Sequence, residues 1–275
     1  MLKRDNSTFR SLNELLKDID TSLISERVIY CQLGDFVYFL PTNSSYAELE
    51  PSDIELLGEC LSDYKIASFP KLSKGFSKRG VESPLILFRY GGEIDHKSGN
   101  YRYGLLIVQI SVMFARIDGV IAEEEKDQIN RIIKNLDFLS EIETTELIAR
   151  AYYYLYGSEE MDGSPQVRDY MKVGLSRELS LKRIATLSEP ARVKLVNIAK
   201  SVITSDQVIR PCEIDFLQDI YRVFDWSVRS ARGDLEKFAN DNYIQLRSPA
   251  GNTDMKVIEE IDDVLGDIIL DFGEF

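Results

Sequence analysis

Ala115-Arg116-Ile117-Asp118-Gly119-Val120-Ile121-Ala122-Glu123-Glu124-Glu125 aligns without a gap on Ile203-Thr204-Ser205-Asp206-Gln207-Val208-Ile209-Arg210-Pro211-Cys212-Glu213. An Asp, an Ile and a Glu coincide. The register extends outward on both sides. Leu105 and Val108 lie over Val193 and Val196, and Ile129, Ile132 and Leu136 lie over Leu217, Ile220 and Phe224. These apolar residues recur at helical spacing, so each copy reads as an apolar helix, a tight turn opened by the Asp, an Ile plug dropped into the core, and a second helix with Glu in its first turn. Two such hairpins can pack around a pseudo-twofold axis and bury both stripes.

Helical periodicity governs the chain from Tyr101 onward. Helices are expected at about 101–116, 123–136, 141–156, 166–186, 189–204, 211–225 and 230–243, punctuated by Pro165, Ser188-Glu189-Pro190 and Pro211. The chain before this region has a different texture. Ser11-Leu12-Asn13-Glu14 opens a short helix with the capping pattern, and Ser52-Asp53-Ile54-Glu55 opens another at about 53–66. Val28-Ile29-Tyr30-Cys31-Gln32 and Phe36-Val37-Tyr38-Phe39-Leu40 favour strand and flank Leu33-Gly34-Asp35, which reads as a hairpin. Pro84–Tyr90 reads as a further strand.

The expected fold class is therefore mainly α, α+β overall. An N-terminal α+β region (1–98) carrying a β-hairpin precedes a multi-helical domain (99–246), and an acidic amphipathic helix (247–275) follows. That last segment sets Ile258, Ile261, Leu265 and Ile268 on one face. Docking on the parent domain is its default reading, and presentation to a partner the other.

Composition bounds the function. The chain has 275 residues, 44% of them hydrophobic, and a formal charge of -13. Such a charge repels a phosphate backbone and disfavours nucleic acid, while cationic partners and divalent metals are favoured. No stretch reaches the roughly 20 apolar residues of a membrane span, and the first residues carry no signal-peptide apolar region, so no membrane partner and a cytoplasmic location are expected. Cys31, Cys60 and Cys212 are too scattered for a disulfide framework or structural zinc, and His96 alone builds neither a zinc triad nor a catalytic triad. No phosphate-cradling glycine motif occurs. The locally basic stretch 71–79, with Lys71, Lys74, Lys78 and Arg79, reads as a solvated loop ahead of an anion site. Tyr152, Tyr153, Tyr154 and Tyr156 read as packing residues, because no basic residue interleaves after Arg150.

The pattern Ala115-x-x-Asp118-Gly119-x-Ile121-x-x-x-Glu125 resembles the hallmark of the TerB-like, tellurite-resistance-associated helical domain over roughly residues 101–225. The chain order is similar to its C-terminal-type modules. The second copy departs from the pattern at Ile203 and at Gln207, where Gly would stand. The resemblance implies an all-helical bundle, a role in stress response or in assembling larger complexes, and divalent metal on Asp118, Glu125, Asp206 and Glu213; the leading reading is a non-enzymatic module that joins a protein partner in a bacterial stress or defence system. Carboxylates suit the hard cations Ca²⁺, Mg²⁺ or Mn²⁺, and Glu123 and Glu124 would add charge to the first site only. The same four residues also serve as caps: a Glu at the third helical position accepts the amide at the helix start, and an Asp accepts the amides of its own turn. Capping ranks ahead of metal binding. A metal-dependent hydrolase using these carboxylates is the alternative from another functional class.

Overall fold

The structure is a computed structural model that describes residues 11–40, 48–72, 79–156 and 175–246. The tail helix expected at 247–275, residues 166–174 of the helix expected at 166–186 and most of the basic stretch, with Lys74 and Lys78, lie outside these residues. Helix predominates, with a small sheet, and the chain divides into two compact units. The first unit comprises residues 1–94 and 141–164, and the second residues 95–140 and 165–275.

In the first unit, α1 (Leu12–Ser25) begins where Ser11 Oγ accepts the Glu14 amide at 3.3 Å. A three-stranded antiparallel sheet runs in the order β1 (Val28–Gln32), β5 (Pro84–Arg89), β3 (Ile66–Phe69). Alternation splits its side chains between two faces. Ile29, Cys31, Leu85, Leu87 and Ile66 join Leu15, Leu16 and Ile19 of α1 and Ile54, Leu57 and Leu61 of α3 (Pro51–Asp63) in one core. The opposite face is covered by α6 (Glu141–Tyr156): Tyr156 stacks edge-on to Tyr30, and Tyr153 and Tyr154 stack edge-on to Phe69. The tyrosines thus serve packing, and Arg150 lies over the Phe69 ring while paired to Glu146 at 2.7 Å. Covered on both sides, β5 is buried along all but its last residue. Although α6 follows the first helix hairpin in sequence, it packs on this sheet.

Three expectations change here. The hairpin over 28–40 is not formed: β1 pairs with β5, and the chain after it forms α2 (Gly34–Val37). Asp35 accepts the Gln32 amide at 2.9 Å, while the Leu33 and Gly34 amides donate to Ser83 and Val81. The buried residues Leu33, Phe36, Val37 and Leu40 recur at helical spacing, and that periodicity prevails over the strand propensity of the aromatics. Second, α3 starts two residues earlier than its Ser52 pattern suggests, with Glu50 as N-cap and Pro51, its φ fixed for helix, at N1. The mid-helix residue Gly58 permits close approach, because a Cβ there would lie 2.7 Å from the Leu72 carbonyl oxygen. Third, the helix expected at 166–186 is represented by α7 (Arg177–Ile184) with its own N-cap, Ser176, whose Oγ accepts the Leu179 amide. A two-residue pair of strands, β2 (Glu48–Leu49) and β4 (Arg79–Gly80), places Arg79.

The second unit is helical. It contains α4 (Gly99–Arg116), α5 (Glu123–Lys134), α7, α8 (Glu189–Ile203), α9 (Pro211–Val223) and α10 (Ala231–Asp241). The hairpins α4–α5 and α8–α9 bury Val108, Ile129, Ile132 and Leu136 in the first copy and Val196, Leu217, Ile220 and Phe224 in the second, each at 3% exposure or less. The rings of Phe114 on α4 and Phe216 on α9 meet at 4.6 Å. The outermost aligned pair is not core: Leu105 is half-buried, and Val193 is exposed. The plugs Ile121 and Ile209 are likewise half-buried, since they lie in the turn itself. After α9, Asp225 at φ 55° ends the helix in a left-handed residue, and the Trp226 amide returns to the Tyr221 carbonyl.

Candidate functional site

The two turns that carry the candidate acidic residues repeat the same three hydrogen bonds. In the first, the Gly119 amide donates to the Arg116 carbonyl, Asp118 Oδ1 accepts the Val120 amide at 2.9 Å, and Glu125 Oε2 accepts the Ala122 amide at 2.8 Å. In the second, the Gln207 amide donates to the Thr204 carbonyl, Asp206 Oδ1 accepts the Val208 amide at 2.9 Å, and Glu213 Oε2 accepts the Arg210 amide at 2.6 Å. The Asp closes its own turn, and the Glu caps the following helix, whose N-cap has no side chain suited to the task. Even the backbone conformation is shared. Gly119 has φ 82° and Gln207 φ 66°, so the departure from Gly in the second copy leaves the left-handed turn in place.

The four acidic residues predicted from the sequence gather in one place. Arg210 joins the two turns: its Nε contacts Asp118 Oδ2 at 2.6 Å, and its Nη1 contacts Asp206 Oδ2 at 2.7 Å. Glu125 and Glu213 lie beneath, almost fully buried. Burial pushes the Glu125 carboxyl up to about 8; the Ala122 amide opposes this, and the charges of Asp206, Glu213 and Asp118 add to it. Burial likewise pushes Glu213 up to about 7, opposed by its backbone hydrogen bond and by the Arg210 charge and reinforced by Asp206 and Asp118. Glu123 and Glu124, expected to enrich the first site, are exposed on the outside of α5, and Glu123 pairs with Lys126 at 2.7 Å.

A divalent cation fits this arrangement poorly. Each Asp uses one oxygen for its turn amide and the other for the guanidinium, and each Glu uses an oxygen on a helix-start amide. Ca²⁺ needs six or more free oxygens at roughly 2.3–2.6 Å, and two of the four carboxyls here hold protons into the neutral range. Among the described residues no group of three or more His, Cys, Asp or Glu is arranged to hold a metal ion.

The sequence pattern places the carboxylates but not Arg210, which enters it only as the residue aligned with Ala122. The available signal was local: an Arg four residues after an Asp, at the repeat position where the first copy has Ala122. Its second partner, in the other copy, is visible only in three dimensions. The remaining chemical candidates lie elsewhere: His96 is exposed with its ring edge-on to Tyr101, and Cys31 is buried with its thiol donating to the Leu85 carbonyl. Cys60 and Cys212 are half-buried and free. No helix among the described residues is long and apolar enough to cross a membrane. No family model, no curated protein and no solved structure matches the chain.

Proposed function

We propose that the chain is a non-enzymatic TerB-like interaction module that acts through a protein partner in a bacterial stress-response or defence system of the tellurite-resistance type. One observation carries the reading. Both copies of the acidic motif are built into equivalent turns, and every carboxyl of the motif is engaged in holding its own turn or helix start. A hydrolytic metal centre needs ligands with free oxygens, an open coordination position for water and a substrate cleft. Carboxyls spent on backbone amides and on a guanidinium instead define a rigid body, which suits a module that works by contact. The family assignment itself rests on the resemblance of residues 115–125, supported by the recurrence of the same turn at 203–213.

The test is co-expression of the full chain with the proteins encoded beside it, followed by affinity purification and size-exclusion chromatography. The expected result is a stable complex of fixed stoichiometry. A purified chain that binds none of them, and that hydrolyses phosphoester or peptide substrates in Mn²⁺, would overturn the reading in favour of the metal-dependent hydrolase.

A further inference from the structure

We infer that Arg210 is the resident cation of the paired turns: its guanidinium does for Asp118 and Asp206 what a bridging divalent metal would do, so the helical unit needs no metal to close.

The two turns share the bonds made by their Asp and Glu, yet only the second copy carries a cation at this position, and Ala122 stands at its counterpart. A single side chain therefore serves both copies. It is held four residues from Asp206 at the start of α9 and reaches across to Asp118 at the end of α4. Guanidinium is planar and offers several N–H groups in a fixed fork, so it can face two carboxylates at once, as a single ammonium group does less well. The two Asp side chains are 11% and 8% exposed, so their repulsion is weakly screened and the cation between them matters. Both contacts are short and charge-assisted, and each Asp spends its Oδ2 on the guanidinium, the oxygen that its turn amide leaves over.

The inference does not depend on the partner proposed above, and its test reads metal and charge rather than binding. The full chain, stripped with chelator, is titrated with Ca²⁺, Mg²⁺ and Mn²⁺ by calorimetry, and its Tm is measured with and without each ion. The wild-type chain is expected to show no heat and no Tm shift that Asp118→Asn abolishes. Arg210→Ala is expected to lower Tm by roughly 5 °C, because two poorly screened carboxylates then face each other. Adding Asp118→Asn and Asp206→Asn to Arg210→Ala should restore most of that loss. Should Arg210→Ala fail to fold, the triple variant decides: a folded triple variant supports charge compensation, and an unfolded one overturns it. Carboxylate-dependent metal binding by the wild-type chain, or an Arg210→Ala variant with unchanged Tm, would also overturn the inference.

Discussion

The first turn, at 118–125, and the second, at 206–213, make the same hydrogen bonds from different materials. Where the first uses Gly119 for its left-handed residue, the second holds Gln207 there at φ 66°. Where the first has Ala122, the second has Arg210, and where the first has the buried Gln128, the second has Phe216. One turn geometry thus persists through changes in backbone freedom, charge and core chemistry, because the Asp and the Glu that close it are retained. The second copy supplies the cation that ties the pair together and the Phe216 ring that meets Phe114 of the first. The first supplies the acceptor and the unstrained turn.

The comparison can be broken most severely at the rings. Phe216→Ala removes the side chain that meets Phe114, and it should cost about 3–5 kcal/mol in urea unfolding, the range for truncating a buried aromatic. A value below about 1 kcal/mol would mean that the two hairpins do not depend on each other there.

The next effect is pH-dependent. Glu125 and Glu213 titrate near 8 and 7 when folded, against an ordinary 4.5. A carboxyl raised on folding binds its proton more tightly in the native state, so its contribution is complete below about pH 4.5 and is lost as pH rises through the folded value. Glu125→Gln keeps an acceptor for the Ala122 amide but cannot ionise. It should match the wild type near pH 4 and exceed its Tm by roughly 5 °C near pH 8.5. Parallel Tm curves across this range would show that Glu125 does not titrate as its burial requires.

Smaller and opposite effects are expected at the left-handed position. Gly119→Ala should destabilise by about 1 kcal/mol, since its Cβ meets nothing and only the positive φ opposes it. Gln207→Gly should be neutral or stabilise by up to about 1 kcal/mol, as strain relief offsets the added freedom of the unfolded chain. Equal effects at both sites would mean that the turns are not equivalent. Smallest of all is Ser111→Ala. Its buried Oγ has no hydrogen-bond partner among the described residues and aligns with the buried Ala199 of the second copy, so the variant should gain about 0.5–1 kcal/mol.

The paired hairpins were legible in the sequence because each turn is made by residues within eight positions of one another, and the apolar stripes on either side keep one register. Local chemistry of this kind leaves its pattern in the chain. The sheet was less legible. The partner of β1 lies more than 50 residues away in β5, and nothing in Val28–Gln32 names it. The aromatic run after Gly34 has strand propensity and helical periodicity at once, and only burial against the sheet core decides between them. Arg210 was hidden for the same reason, since half of its role lies in the other copy.

The route of the chain constrains how the protein can be cut. A fragment ending before residue 141 keeps all three main strands but lacks α6, and so leaves Tyr30, Phe69 and the outer face of β5 uncovered in water. Such a truncation is expected to be insoluble even though every strand is present. Excising residues 95–140 and joining the ends would be the kinder surgery, because it returns α6 to the polypeptide that it shelters.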